Sequence, residues 1–214
     1  MLQKNNLQVE TLTIGQLETN CYIAYCKQTN ECIVIDPADS GDFITQTILD
    51  LKLTPLCILF THAHFDHVLG SLELKLNFDI PIFMNQKDTQ LLKKAQSSGK
   101  YWLKQEVDPV PQETKPLSEG SLIQIGKSSL VVYETPGHTP GSIVLFANEP
   151  QPLLFTGDTL FKAGVGRTDF EYSSPRDLQK SIQKLFATLP PETICYPGHG
   201  ETTTLLEENN LNYD

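Results

Sequence analysis

The sequence predicts an α/β protein, because short β-rich segments alternate with helical segments along its 214 residues. Segments such as ECIVIDP (31–37) are nearly continuous apolar runs, which is typical of strands that are buried on both faces. Segment 41–52 instead places its apolar residues three and four positions apart, as a helix packed against a sheet does. No linker rich in proline, glycine or serine divides the chain, so we expect a single domain over residues 1–214.

The first half of the chain is expected to begin with strands and to continue with helices placed between further strands. Strands are predicted at 7–15, 20–26, 31–37, 56–60 and 80–84. Helices are predicted at 41–52, 66–78 and 85–96. Residues 97–116 contain Ser-Ser-Gly and three prolines, and they are expected to form a long loop.

The second half repeats this order of strands followed by a helix. Strands are predicted at 121–126, 129–137, 142–148 and 152–158. A helix is expected at 174–187, with Ser173 or Ser174 as its N-cap and Pro175 in its first turn. A last strand and loop (193–200) and a short helix (202–210) complete the expected fold.

The composition excludes several classes of function. The net charge of -10 disfavours nucleic acid and anionic membranes as main partners, because both attract basic surfaces. No apolar run approaches the roughly 18 residues of a membrane span, and the N-terminus lacks the features of a signal peptide. A cytoplasmic protein is therefore expected. The five cysteines include no CxxC pair, and thiols are usually reduced in the cytosol, so no disulfide framework is expected.

The motif THAHFDH, at residues 61–67, places three histidines and one aspartate in a short loop after a predicted strand. His62 and His64 lie two residues apart, so an extended backbone directs both side chains to the same side. Asp66 and His67 follow where the chain turns into a helix, and they can face a second cation. Neutral imidazole and carboxylate groups suit zinc, iron or manganese. The motif therefore predicts half of a two-metal site.

The other ligands are expected in later loops, because four groups cannot complete two metal shells. His138 (in TPGHTPGS) and His199 (in YPGHG) are the two histidines outside the motif. Asp158 (in LLFTGDTLF) ends an apolar strand, and its two carboxylate oxygens could bridge two metals. Asp36, at the end of ECIVIDP, is either a hydrogen-bond partner of a ligand histidine or a residue that forms the turn after the strand.

With these motifs in this order, the sequence resembles the metallo-β-lactamase superfamily. The resemblance covers THAHFDH, TPGHTPGS, FTGDTLF and YPGHG, and it extends over nearly the whole chain. It implies a four-layer αββα sandwich. Within the superfamily, GDTLFKAGVGRTDF (157–170) and the helix after it resemble a short bacterial form of glyoxalase II, the hydroxyacylglutathione hydrolase.

The resemblance implies two divalent metal ions, with zinc as the first expectation and iron or manganese as alternatives. It implies His62, His64 and His138 on the first metal, Asp66, His67 and His199 on the second, and Asp158 as the bridge. Two cations that share a water lower its pKa toward neutrality and supply a hydroxide nucleophile. We expect this hydroxide to hydrolyse a thioester such as S-lactoylglutathione, and we expect Asp66 to orient it in addition to binding metal.

Arg167 is the candidate for substrate binding. Its planar guanidinium suits a substrate carboxylate, and it aligns with a basic residue that the long glyoxalase II enzymes use near the substrate. An ion pair with Asp169 or Glu171 is the alternative role for this side chain.

The resemblance also implies alternatives, because proteins with the same fold catalyse other reactions. Persulfide dioxygenases share GRTDF but use one iron and molecular oxygen, and lactonases use the same metals for a cyclic ester. The common zinc β-lactamases have a cysteine where this chain has Asp158, so β-lactam hydrolysis is not expected.

Overall fold

Two six-stranded β-sheets form the centre of the molecule in the computed structural model, which describes residues 6–211. The first sheet contains, in spatial order, β1 (Leu7–Ile14), β2 (Thr19–Cys26), β3 (Glu31–Ile35), β4 (Thr54–Leu59), β5 (Ile82–Met84) and β6 (Lys115–Pro116). β2 pairs antiparallel with both β1 and β3, and β3 to β6 run parallel. Of the parallel strands, β3 and the end of β4 are apolar runs that were predicted as buried strands, whereas β6 is an exposed pair of residues within the segment predicted to be a loop.

The second sheet is mostly antiparallel. Its strands are β7 (Leu122–Ile125), β8 (Ser128–Glu134), β9 (Ile143–Ala147), β10 (Leu153–Gly157), β13 (Ile194–Pro197) and β14 (Thr203–Thr204), in the order β14-β13-β10-β9-β8-β7. A small ribbon of β11 (Leu160–Phe161) and β12 (Gly164–Val165) lies apart from it. β10 and β13 pair in parallel, so their carboxyl ends, where predicted ligands follow, lie side by side.

Helices cover the outer faces of both sheets. The helices are α1 (Gly41–Asp50), α2 (Phe65–Val68), α3 (Ser71–Phe78), α4 (Thr89–Leu103), α5 (Pro175–Thr188) and α6 (Leu205–Asn209). One buried apolar cluster joins the two sheets, a second joins the first sheet to α1, α3 and α4, and a third joins the second sheet to α5 and α6. This arrangement confirms the expected αββα sandwich.

The helix α5 forms where the sequence places it. The Ser174 hydroxyl accepts a hydrogen bond from the Asp177 amide, and Pro175 occupies the first turn, where its missing N–H costs nothing. Leu178, Ile182 and Leu185 then recur at helical spacing and are buried, and Leu185 packs in the apolar cluster of the second sheet. This packing holds the segment that precedes α5 next to the loop after β8, since Ser174 N also donates to Gly137 O.

The single helix predicted at 66–78 is wrong, because the chain breaks it into α2 and α3. The break lies at Gly70, whose amide donates to Ala38 O at 2.8 Å. A Cβ at this position would collide with the carbonyl oxygen of Pro37, so the close approach requires glycine. The helix prediction used only the spacing of apolar residues within 66–78, so it could not include this contact with Ala38.

The long loop predicted at 97–116 is also wrong in its first part. The helix α4 continues to Leu103, beyond the expected end at residue 96. Gly99 does not end the helix, because it lies against Leu69 and Val107, and Leu103 is buried on the same side. The irregular segment therefore begins at residue 104.

Among residues 6–211, no helix is long and apolar enough to cross a membrane. The expected domain boundaries, residues 1 and 214, lie outside the described residues. The single domain over 1–214 therefore stays a prediction.

Candidate metal centre

The loops that follow β4, β8, β10 and β13 meet and carry the predicted ligands. Ile143 N donates to Thr61 O at 2.9 Å, which ties the second sheet to the loop of the opening motif. Gly198 N donates to Gly157 O at 2.8 Å, which holds the loops after β10 and β13 together. The positions of the ligands therefore follow from hydrogen bonds between strand ends that are remote in sequence.

The predicted ligands form two groups whose ligand atoms lie within 4.8 Å of one another. The first cluster is His62, His64, His138 and Asp158, and the second cluster is Asp66, His67 and His199. Asp158 lies between them, because its Oδ2 is 3.5 Å from His138 Nε2 and its Oδ1 is 3.5 Å from His67 Nε2. The structure thus brings all seven residues together in the two groups that the resemblance implied.

Each histidine has one ring nitrogen held by the protein and the other directed into the clusters. The held nitrogen is Nδ1 in four histidines: His62 (Thr61 Oγ1, 3.1 Å), His67 (Asp36 Oδ2, 3.0 Å), His138 (Arg167 O, 2.8 Å) and His199 (Leu17 O, 3.0 Å). When the ring is neutral and its Nδ1–H donates outward, Nε2 carries a lone pair on the inward side. Histidines that bind metal are held in this way.

His64 is oriented in the opposite sense. Its Nε2 lies 2.7 Å from the hydroxyl oxygen of Tyr172, and its Nδ1 lies 3.0 Å from His138 Nε2. The nitrogen that faces the first cluster is therefore Nδ1 in this residue. The result is the same, since one nitrogen is held and the other faces inward.

Three buried polar atoms show that the clusters fit cations. His62 Nε2, His67 Nε2 and Asp158 Oδ1 have no hydrogen-bond partner within the described part of the chain. Buried polar atoms without partners destabilise a fold by roughly 1–3 kcal/mol each. All three atoms face the clusters, where imidazole and carboxylate ligands would hold divalent ions.

The charges of the metal-free clusters differ between histidines. Burial and the neighbouring imidazoles lower the pKa of His62, and burial together with His138 lowers the pKa of His64 to about 3. Burial also opposes the charged form of His67, but Asp158 and Asp66 outweigh it and raise the pKa of His67 to about 10. Metal binding must then displace a proton from His67, so we expect metal affinity to rise with pH.

Asp36 is the main support of the clusters. Its side chain accepts hydrogen bonds from Thr61 N at 2.7 Å, Thr61 Oγ1 at 2.6 Å and His67 Nδ1 at 3.0 Å. The residue is 2% exposed and has a left-handed backbone with φ of 50°. Asp36 therefore both turns the chain after β3 and holds a predicted ligand, which joins the two roles left open by its sequence position.

Asp88 is a second support of the clusters, and no sequence motif pointed to it. Its Oδ2 accepts from Ala63 N at 3.1 Å and Thr139 Oγ1 at 2.7 Å, and its Oδ1 accepts from Gly141 N at 2.6 Å. Ala63 lies between His62 and His64, and Thr139 follows His138. The buried carboxylate thus joins the two loops of the first cluster.

The outer edge of the site is a rim of residues 167–172. Arg167 is 71% exposed at its side chain and forms an ion pair with Asp169 at 2.8 Å, one of the two alternatives for this residue. Its guanidinium also lies 5.0 Å from the centre of the Phe170 ring, while its carbonyl oxygen holds His138. The structure places Arg167 on this rim, and substrate binding by its side chain stays a prediction.

The fold and the clusters define a class of protein. A family model described as the metallo-beta-lactamase superfamily matches residues 14–199. The chain therefore belongs to this superfamily, and its histidine and aspartate clusters are those of a metal-binding hydrolase family.

Two relatives of nearly equal length are similar over almost the whole chain. The probable metallo-hydrolase YqgX of Bacillus subtilis (strain 168) is 35% identical over 94% of this chain and 94% of its own length. The hydroxyacylglutathione hydrolase GloC of Haemophilus influenzae (strain ATCC 51907 / DSM 11121 / KW20 / Rd) is 30% identical over 96% of this chain and 97% of its own. A metal-dependent hydrolase of this superfamily is thus the class that the relatives share.

Three solved structures have the same fold. The B3 metallo-beta-lactamase BLEG-1 has a TM-score of 0.87 and 30% identity over 96% of this chain and 98% of its own. TTHA1623, solved in a di-iron-bound form, has a TM-score of 0.86 and 34% identity over 95% and 98% of the two chains. ETHE1 from Myxococcus xanthus has a TM-score of 0.77 and 26% identity over 96% and 83%.

Proposed function

We propose that the protein is a binuclear metal-dependent hydrolase that cleaves thioesters of the S-acylglutathione type, such as S-lactoylglutathione. One observation carries the proposal: seven ligand side chains form two clusters with Asp158 between them, and every imidazole directs one nitrogen inward. The similarity to GloC, a hydroxyacylglutathione hydrolase, supports this choice of substrate.

We propose zinc as the metal at both clusters, with iron as its direct rival. Bound cations would supply a hydroxide nucleophile at neutral pH and a Lewis acid for the acyl oxygen. TTHA1623 in its di-iron-bound form supports two metals and equally supports iron. Imidazole and carboxylate ligands accept either ion, and manganese as well.

Asp66 is proposed to orient the attacking water as well as to hold metal. Its Oδ2 lies 3.3 Å from His199 Nε2 and accepts from Thr19 Oγ1 at 3.3 Å. These contacts fix the carboxylate and leave it further lone pairs, which can accept a hydrogen bond from the water. In the metal-free clusters, burial raises the pKa of Asp66, but His67 and His199 outweigh burial and lower it, so Asp66 is a carboxylate that is ready to bind metal.

The partner of the site is proposed to be a small molecule. The rim presents one exposed cation, Arg167, which would have to exchange its contact with Asp169 for a substrate carboxylate. Exposed ion pairs contribute only about 0–1 kcal/mol, so a substrate carboxylate can replace this one.

A second candidate is a persulfide dioxygenase that uses a single iron. The similarity to ETHE1 and the shared GRTDF segment favour it. In that reaction one cluster of His, His and Asp suffices, and the remaining ligand-type side chains have no metal to bind. The inward Nε2 atoms of His67 and His199 argue for the two-metal hydrolase.

The experiment separates the two reactions in one preparation purified without chelator. Thiol release from S-lactoylglutathione is measured beside oxygen consumption with glutathione persulfide, and a lactone and a β-lactam complete the panel. The β-lactam is included because BLEG-1 is a B3 metallo-beta-lactamase. Thiol release without oxygen consumption is the expected result; the reverse would overturn the proposal, as would turnover of the lactone or the β-lactam alone.

A further inference from the structure

Tyr172 stands at the rim beside the first cluster. Its hydroxyl oxygen lies 2.7 Å from His64 Nε2, and its ring is 5.4 Å from the Phe170 ring with only 9° between the planes. The residue is 38% exposed, so its side chain reaches both a proposed ligand and the solvent. The function of this tyrosine follows from which of the two partners donates the hydrogen bond.

The direction of this hydrogen bond depends on the role of His64, so the inference rests on the proposed function. His64 directs Nδ1 toward His138 Nε2 in the first cluster. If His64 uses the Nδ1 lone pair for a cation, its neutral ring must carry its proton on Nε2. Nε2–H then donates to the Tyr172 oxygen, which acts as the acceptor.

A tyrosine that accepts this bond has its own O–H available. Within residues 6–211, His64 is the hydrogen-bond partner of the Tyr172 hydroxyl, and no acceptor for the phenolic proton lies among them. The stacked Phe170 ring limits rotation of the tyrosine ring, since the two planes are nearly parallel. The free donor therefore stays next to the first cluster.

We propose that Tyr172 binds substrate directly, donating its O–H to an acyl oxygen that lies beside His64. The acceptor is the carbonyl oxygen of the thioester before reaction and a carboxylate oxygen of the acid product after it. Phe170 keeps the ring in place, and its own edge packs against His64, with 5.2 Å between the ring centres. Tyr172 therefore contributes to specificity for acyl compounds.

The test uses Tyr172→Phe, which removes the hydroxyl and keeps the stacked ring. Tyr133→Phe is the matched control, because Tyr133 packs against Phe146 on the outer face of the second sheet. Three quantities are measured for each protein: zinc affinity of the metal-free form, binding of lactate to the zinc-loaded form by calorimetry, and kcat/KM for S-lactoylglutathione.

In Tyr172→Phe, zinc affinity is expected to stay within about twofold, because Tyr172 is partly exposed and water can replace its oxygen as the acceptor of His64 Nε2–H. Lactate binding is expected to weaken about tenfold, and kcat/KM to fall by about 10–100-fold, without rescue by excess zinc. Tyr133→Phe should match the wild type in all three measurements.

Two results would overturn the inference. If zinc affinity falls and excess zinc restores kcat/KM, Tyr172 only positions His64. If lactate binds equally to the wild type and Tyr172→Phe, or does not bind the wild type, the hydroxyl does not contact an acyl oxygen. Failure of this inference can be distinguished from failure of the proposed function. A wild type that hydrolyses no thioester can still bind lactate more tightly than Tyr172→Phe does.

Discussion

The two buried carboxylates that support the site, Asp36 and Asp88, differ from the exposed rim at residues 167–172 in burial and in the number of hydrogen bonds that they accept. Asp36 and Asp88 are 2% and 1% exposed, and each accepts three hydrogen bonds from loops that carry ligands. On the rim, Arg167 and Asp169 have side chains that are 71% and 64% exposed and contact each other. A buried carboxylate is stable only when it is hydrogen-bonded, so Asp36 and Asp88 hold the loops that carry the predicted ligands in one arrangement. The contacts of the solvated rim contribute little to stability, so its residues can vary and select the substrate.

Of the variants in the buried part of the site, Asp158→Ala should cause the largest loss of bound metal and of turnover. Asp158 lies between the clusters, 3.5 Å from both His138 Nε2 and His67 Nε2, so its loss removes a ligand from each. We expect bound metal to fall below two equivalents and thioester turnover to fall at least about 1,000-fold. Metal analysis and a turnover assay measure the two quantities.

The control for this variant is Asp169→Ala, which removes a carboxylate from the rim. It should keep both metals, because Asp169 contacts Arg167 and no predicted ligand. Unchanged metal content and turnover in Asp158→Ala would show that the clusters do not form the site.

Asp36→Asn should weaken metal binding by about 10–100-fold, the usual effect of losing a partner of a ligand histidine. Asparagine tolerates the left-handed backbone at this position, so the turn after β3 is retained. The amide has one oxygen, so it cannot accept both from Thr61 N, which bonds Oδ1 in the wild type, and from His67 Nδ1, which bonds Oδ2. Either His67 loses its partner or the amide NH2 faces the Thr61 N–H, and both outcomes disturb the position of His67. Zinc titration of the metal-free variant measures the effect, and wild-type affinity would contradict this role of Asp36.

Asp88→Asn should have a smaller effect, about tenfold on metal affinity. The amide can still accept from Gly141 N, but it cannot accept from Ala63 N with the same orientation. His62 and His64 would then be positioned less firmly relative to His138. The same titration should show weaker binding at the first cluster and normal binding at the second; equal loss at both would instead indicate a general loss of folding.

Arg167→Ala should leave the metal centre and the fold nearly unchanged. Its ion pair with Asp169 is exposed, so we expect the free energy of unfolding to change by less than about 0.5 kcal/mol. If the side chain binds a substrate carboxylate, KM should rise about tenfold for substrates that carry one. Kinetics with thioesters that have and lack a carboxylate test this, and equal KM changes would contradict the role.

The strands, and the loops that bring the predicted ligands together, could be predicted from the sequence because both depend on local patterns. Apolar runs mark the buried strands, and ligands follow those strands as histidines and aspartates in turns, as at His138 and Asp158. The break at Gly70 and the role of Asp88 depend on contacts with residues far along the chain. Such contacts leave no periodic pattern, because the partners meet only after the sheets have formed.

The extension of α4 was missed for the same reason. Ser-Ser-Gly usually ends a helix, but here Gly99 allows close packing against Leu69. The orientation of the His64 ring could not be predicted from the sequence either, because it depends on a contact with Tyr172, more than a hundred residues further along the chain.

The number of metal ions that the metal-free protein binds tests the central claim most directly. Calorimetric titration with zinc, confirmed by metal analysis after removal of excess ion, gives this number. We predict two equivalents per chain, one at each cluster, in the wild type and in the rim variant Arg167→Ala. Saturation at one equivalent in the wild type would contradict the two-metal site and favour chemistry at a single cluster.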